Sequence, residues 1–159
     1  MDPAVLTGAS VAASVLAGTS AVGVWLRRST GRLRPVRGAV DSGRTPGAAP
    51  TAGLLAGLGV APGTPATLVQ FSSAFCTPCR AARRVCAEVA ATLEGVEFVE
   101  VDAESRLGVV RALHVWRTPT VLIVDAAGRV VRRATGVPDR AQVIAAVAPL
   151  LSDAEATVP

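Results

Sequence analysis

The sequence predicts an α/β fold, a mixed sheet of four to five strands flanked by helices, with an N-terminal transmembrane helix. One observation is a stretch without any charge, residues 4–26. Another is the alternation of short β-branched runs with runs of helical apolar spacing after residue 66. We therefore predict a transmembrane anchor, a linker rich in Arg, Gly and Pro, a folded domain and a flexible tail, in residues 1–28, 29–65, 66–151 and 152–159.

The uncharged stretch has the length of a membrane-spanning helix, although Ala, Gly, Ser and Thr often stand in place of Leu. Its 23 residues would extend over roughly 34 Å as a helix, enough for a hydrocarbon core about 30 Å thick. A signal peptide fits less well because the residues before it carry an acidic charge and no basic one. Five Arg follow between positions 27 and 37, which predicts a single-pass membrane protein with its domain on the cytoplasmic side. The alternative is an Ala-rich soluble helix.

Composition argues against two classes of protein. The net charge is +4, but only 3% of residues are aromatic and no basic stripe is interleaved with them, so no nucleic-acid partner is expected. Three cysteines are too few for a scaffold built on disulfides. Within the linker, Arg32–Val40 is consistent with an edge strand, and Thr51–Val60 with a short helix that buries Leu54, Leu55 and Leu58.

The folded domain reads as β-α-β-α-β-β-α. A helix follows the first strand and ends at Gly95, and Ser105 and Asp139 are expected to cap the next two helices. Ala126–Gly128 is expected to form a tight turn between the last two strands. The predicted strands are Ala66–Ser73, Val96–Asp102, Thr118–Asp125 and Arg129–Gly136, and the later helices are Ser105–Val115 and Asp139–Leu151.

Four segments resemble the thioredoxin family: FSSAFCTPCRAARRV, VEVDAES, RTPTVLIVDAAGRVV and the later ATG. The resemblance covers about Ala66–Leu151, and Cys76 precedes Pro119 by 43 residues, a spacing similar to that of plain thioredoxins. With its anchor and linker, the whole chain is similar to membrane-anchored thioredoxin-like proteins of actinobacteria. The resemblance implies a thioredoxin-like fold and thiol–disulfide exchange that needs no cofactor beyond a redox-active disulfide between Cys76 and Cys79.

The position of the Cys-x-x-Cys pair suits this chemistry on physical grounds as well. Cys76 falls at the start of a helix, where free amides and the helix dipole favour an anion and lower a thiol pKa. Cys76 is then expected to be the attacking thiolate, and Cys79, one turn further on, the thiol that resolves the mixed disulfide. Pro78 fits the first helical turn, where its missing N–H is not needed.

The substrate groove is expected to form around the cysteine pair. The resemblance implies that Thr118–Pro119 contains a cis peptide bond and leaves the Thr118 backbone free to pair with a substrate chain; an ordinary trans proline is the alternative. The other residues expected to bind substrate are Phe75, Thr77, Pro78 and Trp116.

Three positions depart from the family pattern. Phe75 stands where thioredoxins usually have Trp, Thr77 where they have Gly, and Gln70 where they have a buried Asp. Because Gln cannot accept the proton of the resolving cysteine, proton transfer is expected to be slower or to use water.

The remaining singular residues are expected to be structural. Cys86 follows Cys79 by two helical turns, too far for a disulfide in a straight helix, and reads as a buried apolar residue; a regulatory thiol is the alternative. His114, the single histidine, reads as a surface or packing residue, and the doublet Arg132–Arg133 as part of a solvated face.

The sequence thus predicts a membrane-tethered thiol–disulfide oxidoreductase that reduces protein disulfides, with the bilayer contacted through residues 4–26. Its reducing partner would be thioredoxin reductase or, outside the cell, a membrane electron donor. Two alternatives stay open: a non-catalytic thioredoxin-fold module for binding or assembly, and a copper carrier that uses the two thiolates and His114.

Overall fold

The computed structural model describes residues 3–36 and 48–156, and the chain forms two compact units, residues 1–30 and 31–159. The first unit is helix α1, Pro3–Ser29, which confirms the helix expected in this region. The described residues contain no helix that is both long and apolar enough to cross a membrane, so the predicted transmembrane span is not confirmed.

The second unit has the α/β architecture expected from the sequence. A short strand and a helix come before the first long strand, and two more helices alternate with the strands before a final hairpin and helix. In chain order the elements are β1 (Arg34–Pro35), α2 (Ala48–Ala56), β2 (Ala66–Ser72), α3 (Thr77–Thr92), β3 (Val96–Asp102), α4 (Leu107–Ala112), β4 (Thr120–Asp125), β5 (Val130–Thr135) and α5 (Arg140–Glu155).

The described strands form one mixed sheet of five in the order β1-β5-β4-β2-β3. Strands β2 and β3 are parallel, with Ala66 opposite Val96, and α3 connects them as the crossover helix. The other pairs are antiparallel, and Phe71 of β2 lies opposite Thr120 of β4. The end of β2 and the start of β4 therefore meet at the same edge of the sheet, and this edge carries the cysteine pair.

Alternation along the strands gives the sheet two apolar faces. Leu68 and Ile123 lie on the face covered by α3 and α5, where they pack in one cluster with Val143 and Val147 of α5. Residues of the opposite parity, such as Val69, Phe71 and Leu122, face the other side, where they pack with Leu55 and Leu113. Each of these large side chains that is fully buried contributes roughly 1.5–3 kcal/mol through the area removed from water.

Helix α3 owes its position to one apolar stripe. Its buried residues are Cys79, Ala82, Cys86 and Val89, at spacings of three and four that place them on one face. The helix ends as the sequence predicts, because the chain leaves the helical region at Leu93 and Gly95 follows with a φ of 77°.

Helix α4 is shorter than the predicted segment and lacks the predicted cap. It begins at Leu107 after Arg106, which makes no side-chain capping bond. The Ser105 hydroxyl donates instead to the carbonyl of Asp102 at 3.0 Å, so it closes a turn after β3. His114 lies beyond the helix with a φ of 51°, in the left-handed region, which corrects its placement on the helix.

The linker and the tail contribute more to the fold than expected. Within the predicted linker, Arg34–Pro35 pairs with β5, which confirms an edge strand, although only over two residues. Residues 37–40 of that predicted strand lie outside the described residues. Helix α2 buries Leu55 completely, while Leu58 packs against the core in the turns that follow the helix. At the other end, α5 extends to Glu155, four residues into the predicted tail, and Asp139 caps it as expected by accepting from Ala141 N and Gln142 N.

Candidate active site

The two cysteines of the Cys-x-x-Cys pair are joined in a disulfide at the junction between β2 and α3. The Cys76–Cys79 S–S distance is 1.99 Å and the Cα atoms are 5.2 Å apart. The strand ends at Ser72, and a bend of three residues brings the chain to Cys76. The Cys76 N–H donates to the carbonyl of Ser73 at 3.3 Å, which tightens this bend.

Cys76 is the N-cap residue of α3. Its sulfur accepts a hydrogen bond of 3.2 Å from the backbone N–H of Cys79, an amide in the first turn of the helix that also donates to the Cys76 carbonyl at 3.1 Å. Pro78 lies in the first turn, as the sequence predicts. A thiolate at Cys76 would accept a hydrogen bond from the same amide and would lie at the positive end of the helix dipole. Both interactions favour the anion over the thiol.

The two cysteines differ in exposure. Cys76 is half-buried and flanked by exposed residues, whereas Cys79 is 4% exposed and faces the core. The residues between them, Thr77 and Pro78, are both exposed. The outer sulfur therefore has access to a macromolecular substrate, and the inner one is reached mainly through its partner.

Two large apolar side chains stand unburied in the segments that form the site. Phe75, directly before Cys76, is 100% exposed, and Trp116 in the loop before β4 is 82% exposed. The Trp116 ring lies 6.2 Å from the ring of His114. Exposed aromatic side chains of this size are typical anchors in protein interfaces.

The loop before β4 meets the bend before α3. The Thr118–Pro119 peptide bond is cis, as the resemblance implies. The hydroxyls of Ser73 and Thr118 are 3.2 Å apart and share a hydrogen bond, which links the two loops. The Gly136 N–H donates to the Pro119 carbonyl at 2.7 Å, where the left-handed φ of 96° favours glycine. Pro119 itself is buried.

The Arg133 side chain forms hydrogen bonds with the other end of this loop, an interaction that the sequence analysis did not predict. Its guanidinium donates to the His114 carbonyl at 3.0 Å and to the Leu113 carbonyl. Partial burial lowers the pKa of Arg133. The reading of the Arg132–Arg133 doublet as a solvated face is therefore wrong for Arg133, because the strand places its side chain on the face that packs against the end of α4. Alternation along β5 was the one signal that separates the two arginines.

Gln70, at the position of the usual buried acid, is fully buried beneath the first turn of α3. Its side-chain Nε2 donates to the Cys79 carbonyl at 3.0 Å. Its Oε1 is buried and has no hydrogen-bond partner. The residue contributes no titratable group beside Cys79, as the sequence indicates.

A cavity of about 490 Å³ opens beside the disulfide. Its wall combines the two cysteines with four charged residues of α3 and β3, of which Arg83 and Glu100 form an ion pair at 3.1 Å. The lining residues are Ser72, Ser73, Ala74, Cys76, Cys79, Arg80, Arg83, Glu100 and Asp102. The sequence did not predict the contribution of β3 to the site, because it depends on the parallel pairing that brings Glu100 opposite Gln70.

Cys86 takes no part in the site. It is fully buried in the core beneath α3, and this burial raises the pKa of its thiol to about 12. In residues 3–36 and 48–156 no group of three or more His, Cys, Asp or Glu side chains is arranged to hold a metal ion. The described geometry therefore offers no metal site in which His114 joins the two thiols.

Comparison with known proteins bears on the family and the fold of the chain. The family model described as Thioredoxin matches residues 60–149. Among solved structures, chloroplastic thioredoxin z is 26% identical, with 55% of this chain and 79% of that chain covered and a TM-score of 0.50. The thioredoxin of Fasciola hepatica is 23% identical, with 55% and 82% covered and a TM-score of 0.48. That of Malassezia sympodialis is 20% identical, with 58% and 82% covered and a TM-score of 0.49. A search of curated proteins gives no significant match.

Proposed function

Because the chain belongs to the thioredoxin family, we propose that it is a thiol–disulfide oxidoreductase that reduces disulfide bonds in other proteins. One observation carries the proposal: the half-buried Cys76 sulfur caps α3 and accepts a hydrogen bond from Cys79 N, while the Cys79 sulfur lies inside. This arrangement gives one nucleophilic and one protected thiol in the reduced state.

The proposed reaction has two exchange steps. The Cys76 thiolate attacks one sulfur of a substrate disulfide, so that a Cys76–substrate disulfide forms and one substrate thiolate leaves. Cys79, after losing its proton, attacks the Cys76 sulfur, so that the Cys76–Cys79 disulfide forms and the second substrate thiolate leaves. Two electrons pass from the protein to the substrate, and the two substrate thiolates take up protons. A dithiol donor then restores the reduced pair.

Substrate binding is proposed at the surface around the pair. The exposure of Phe75 and Trp116 supports contact with apolar side chains of a protein substrate. The hydrogen bond between Ser73 and Thr118 supports a fixed spacing between the cysteine loop and the Thr118–Pro119 loop. Exposed Thr77 and Pro78 would contact the substrate from the helix side.

A trapping experiment tests the proposal. Cys79→Ser leaves the nucleophile but removes the resolving thiol, so substrate proteins should accumulate as adducts that dithiothreitol releases. The matched control is the double variant Cys76→Ser/Cys79→Ser, which should give no adducts. Equal recovery from both variants would contradict the proposal, as would a wild-type protein that fails to reduce the disulfides of insulin with dithiothreitol as the electron donor.

The partner and the location are proposed from the sequence. The disulfide of a cytoplasmic domain would be reduced by a reductase such as thioredoxin reductase, and that of an external domain by a membrane electron donor.

We place the chain at a cell membrane through residues 4–26, with support from the lack of charge there and from the exposure of Val15, Leu16 and Trp25 on α1. After carbonate extraction the full chain should stay in the membrane pellet. Release into the soluble fraction would contradict the membrane location, and an active alkaline phosphatase fusion after residue 26 would contradict the cytoplasmic side.

A non-catalytic binding or assembly module is the second candidate. The observation in its favour is Gln70, which leaves the resolving cysteine without the buried carboxylate of the family pattern. Under this alternative, the Cys76→Ser variant would fully complement the phenotype of cells from which the protein has been deleted. Under the proposed reductase function, the same variant behaves as a deletion.

A further inference from the structure

Gln70 is held in place beside Cys79. It lies on β2, an interior strand between β4 and β3, is fully buried, and donates from Nε2 to the Cys79 carbonyl at 3.0 Å. Because one end of the amide is fixed at the first turn of α3, its other end is confined to the same neighbourhood.

The other end of that amide is unsatisfied in the disulfide form. Gln70 Oε1 is buried and accepts no hydrogen bond. Leaving a buried amide oxygen without a partner is unfavourable, because the oxygen has lost its hydrogen bonds to water and gained none in the fold. The Cys79 N–H cannot serve it, because that group already donates to the carbonyl and the sulfur of Cys76.

Reduction creates a new donor at this place. When the Cys76–Cys79 bond breaks, a dithiol supplies two electrons and two protons and is itself oxidised to a disulfide. One of these protons is carried by the Cys79 sulfur, in a position that is only 4% exposed. The oxidised form has no hydrogen on either sulfur, so the donor exists in the reduced form alone.

We propose that Gln70 Oε1 accepts a hydrogen bond from the Cys79 thiol and so stabilises the reduced form of the site. This inference rests on the proposed redox function and gives Gln70 the role of a positioning residue for the resolving thiol. The bond between Nε2 and the Cys79 carbonyl can persist in both forms, so it contributes little to the equilibrium between them.

Two consequences follow for the reaction. The disulfide form becomes a better oxidant, since its reduction relieves an unsatisfied oxygen. The proton is also retained on Cys79, because a hydrogen bond to the neutral thiol disfavours its ionisation, and an amide, unlike a carboxylate, cannot take that proton. Resolution of the mixed disulfide is therefore slow, and the complex between Cys76 and its substrate is long-lived.

The charged groups around Cys79 do not replace this role. Those that line the adjoining cavity are Arg80, Arg83, Glu100 and Asp102. Arg83 pairs with Glu100 at 3.1 Å, and Asp102 Oδ1 accepts from Glu104 N at 3.0 Å. All four are retained in the variants below, so a change at residue 70 reports on the amide.

The test compares Gln70→Met with the wild type and with Thr67→Val, in the full chain. Thr67 is a buried polar residue of the same strand, on the opposite face from Gln70. Each protein is equilibrated with glutathione buffers of graded ratio, and the reduced fraction is read by thiol labelling. Gln70→Met should lower the equilibrium constant for reduction about tenfold, or about 30 mV for a two-electron couple, while Thr67→Val stays within twofold.

A Gln70→Met value within twofold of the wild type, or a shift towards the reduced form, overturns the inference alone, since the wild-type pair still exchanges. A wild-type pair that never equilibrates with glutathione overturns the proposed function and the inference together.

Two further measurements keep the inference testable if Gln70→Met does not fold. The reduced-minus-oxidised infrared spectrum of the wild type should contain a hydrogen-bonded S–H band, and Cys86 cancels because its thiol is present in both forms. A spectrum that contains free S–H bands and no hydrogen-bonded one would overturn the inference.

Gln70→Glu supplies a proton acceptor and should speed resolution of the mixed disulfide by about 10²-fold, the lower end of what a positioned base contributes. An unchanged rate of resolution also overturns the inference.

Discussion

The start and the middle of helix α3 place the same residue type in opposite chemical settings. Cys76 caps the helix, is half-buried and accepts a hydrogen bond from the backbone N–H of Cys79 in the first helical turn. Cys86, ten residues later, is fully buried among apolar side chains, and the pKa of its thiol is raised to about 12. The helix terminus favours a thiolate, whereas the core disfavours one.

The contrast shows that position along the element decides what a cysteine does. The stripe that buries Cys86 continues through Ala82 to Cys79, so the cysteine proposed to resolve the mixed disulfide is itself a core residue at the end of the stripe. One helix thus supplies an accessible sulfur, a protected sulfur and an inert one.

Replacing the nucleophile gives the largest expected effect. Cys76→Ser should reduce the rate of protein disulfide reduction by at least about 10³-fold, because the attacking thiolate is lost. Cys86→Ala, the matched control on the same helix, should keep the rate within twofold. A similar loss in both variants, measured by insulin reduction with dithiothreitol, would break the comparison.

Alkylation rates sharpen the difference between reduced cysteines. At pH 8 the reduced, folded protein should be alkylated first at Cys76. Cys86 should react about 10³-fold more slowly in the folded protein than in the unfolded chain, because a thiol pKa of about 12 leaves little thiolate. Timed iodoacetamide labelling with peptide mass analysis measures both rates. Rapid labelling of Cys86 in the folded state would show that the core is open at this position.

A polar substitution at Cys86 should affect stability and leave the redox pair unchanged. Cys86→Ser places a hydroxyl in a cluster of buried apolar side chains and should lower the free energy of unfolding by about 1–3 kcal/mol. Urea unfolding of the oxidised protein measures this loss. The Cys76–Cys79 equilibrium with glutathione should stay within twofold of the wild type, and a larger change would mean that Cys86 belongs to the site.

Alkaline pH should weaken the fold gradually through the same thiol. The folded state holds the Cys86 proton up to a pKa of about 12, while the unfolded chain releases it near 9. Because the unfolded state then binds fewer protons, stability falls as pH rises between these values, by at most about 1.4 kcal/mol per pH unit. Cys86→Ala should remove this part of the slope, and an identical slope in both proteins would contradict the shifted pKa.

Local patterns were sufficient to predict most of the fold. Strand β3 has the predicted bounds, and the bounds of β2, β4 and β5 lie within two residues of the prediction. The cap at Asp139 was also predictable, because capping depends on residues adjacent in sequence. Prediction failed at α4, where Ser105 was expected to cap the helix. Its hydroxyl donates to the Asp102 carbonyl instead.

The parts of the site that escaped prediction depend on contacts distant in sequence. Arg133 holds the carbonyls of Leu113 and His114 across 19 to 20 residues, and Ser73 meets Thr118 across 45. Neither contact has a local motif, since each exists only after the sheet has brought its strands into register. The unsatisfied oxygen of Gln70 is visible for the same reason only in the folded chain.

A redox titration of the full chain tests the central claim most directly. The protein is equilibrated with dithiothreitol or glutathione series, and the thiols of Cys76 and Cys79 are counted by labelling. We predict one reversible two-electron transition close to that of thioredoxin, about −270 mV, raised by about 30 mV through Gln70. A transition near −120 mV would make the protein an oxidant, and a pair that never forms its disulfide would contradict the redox function.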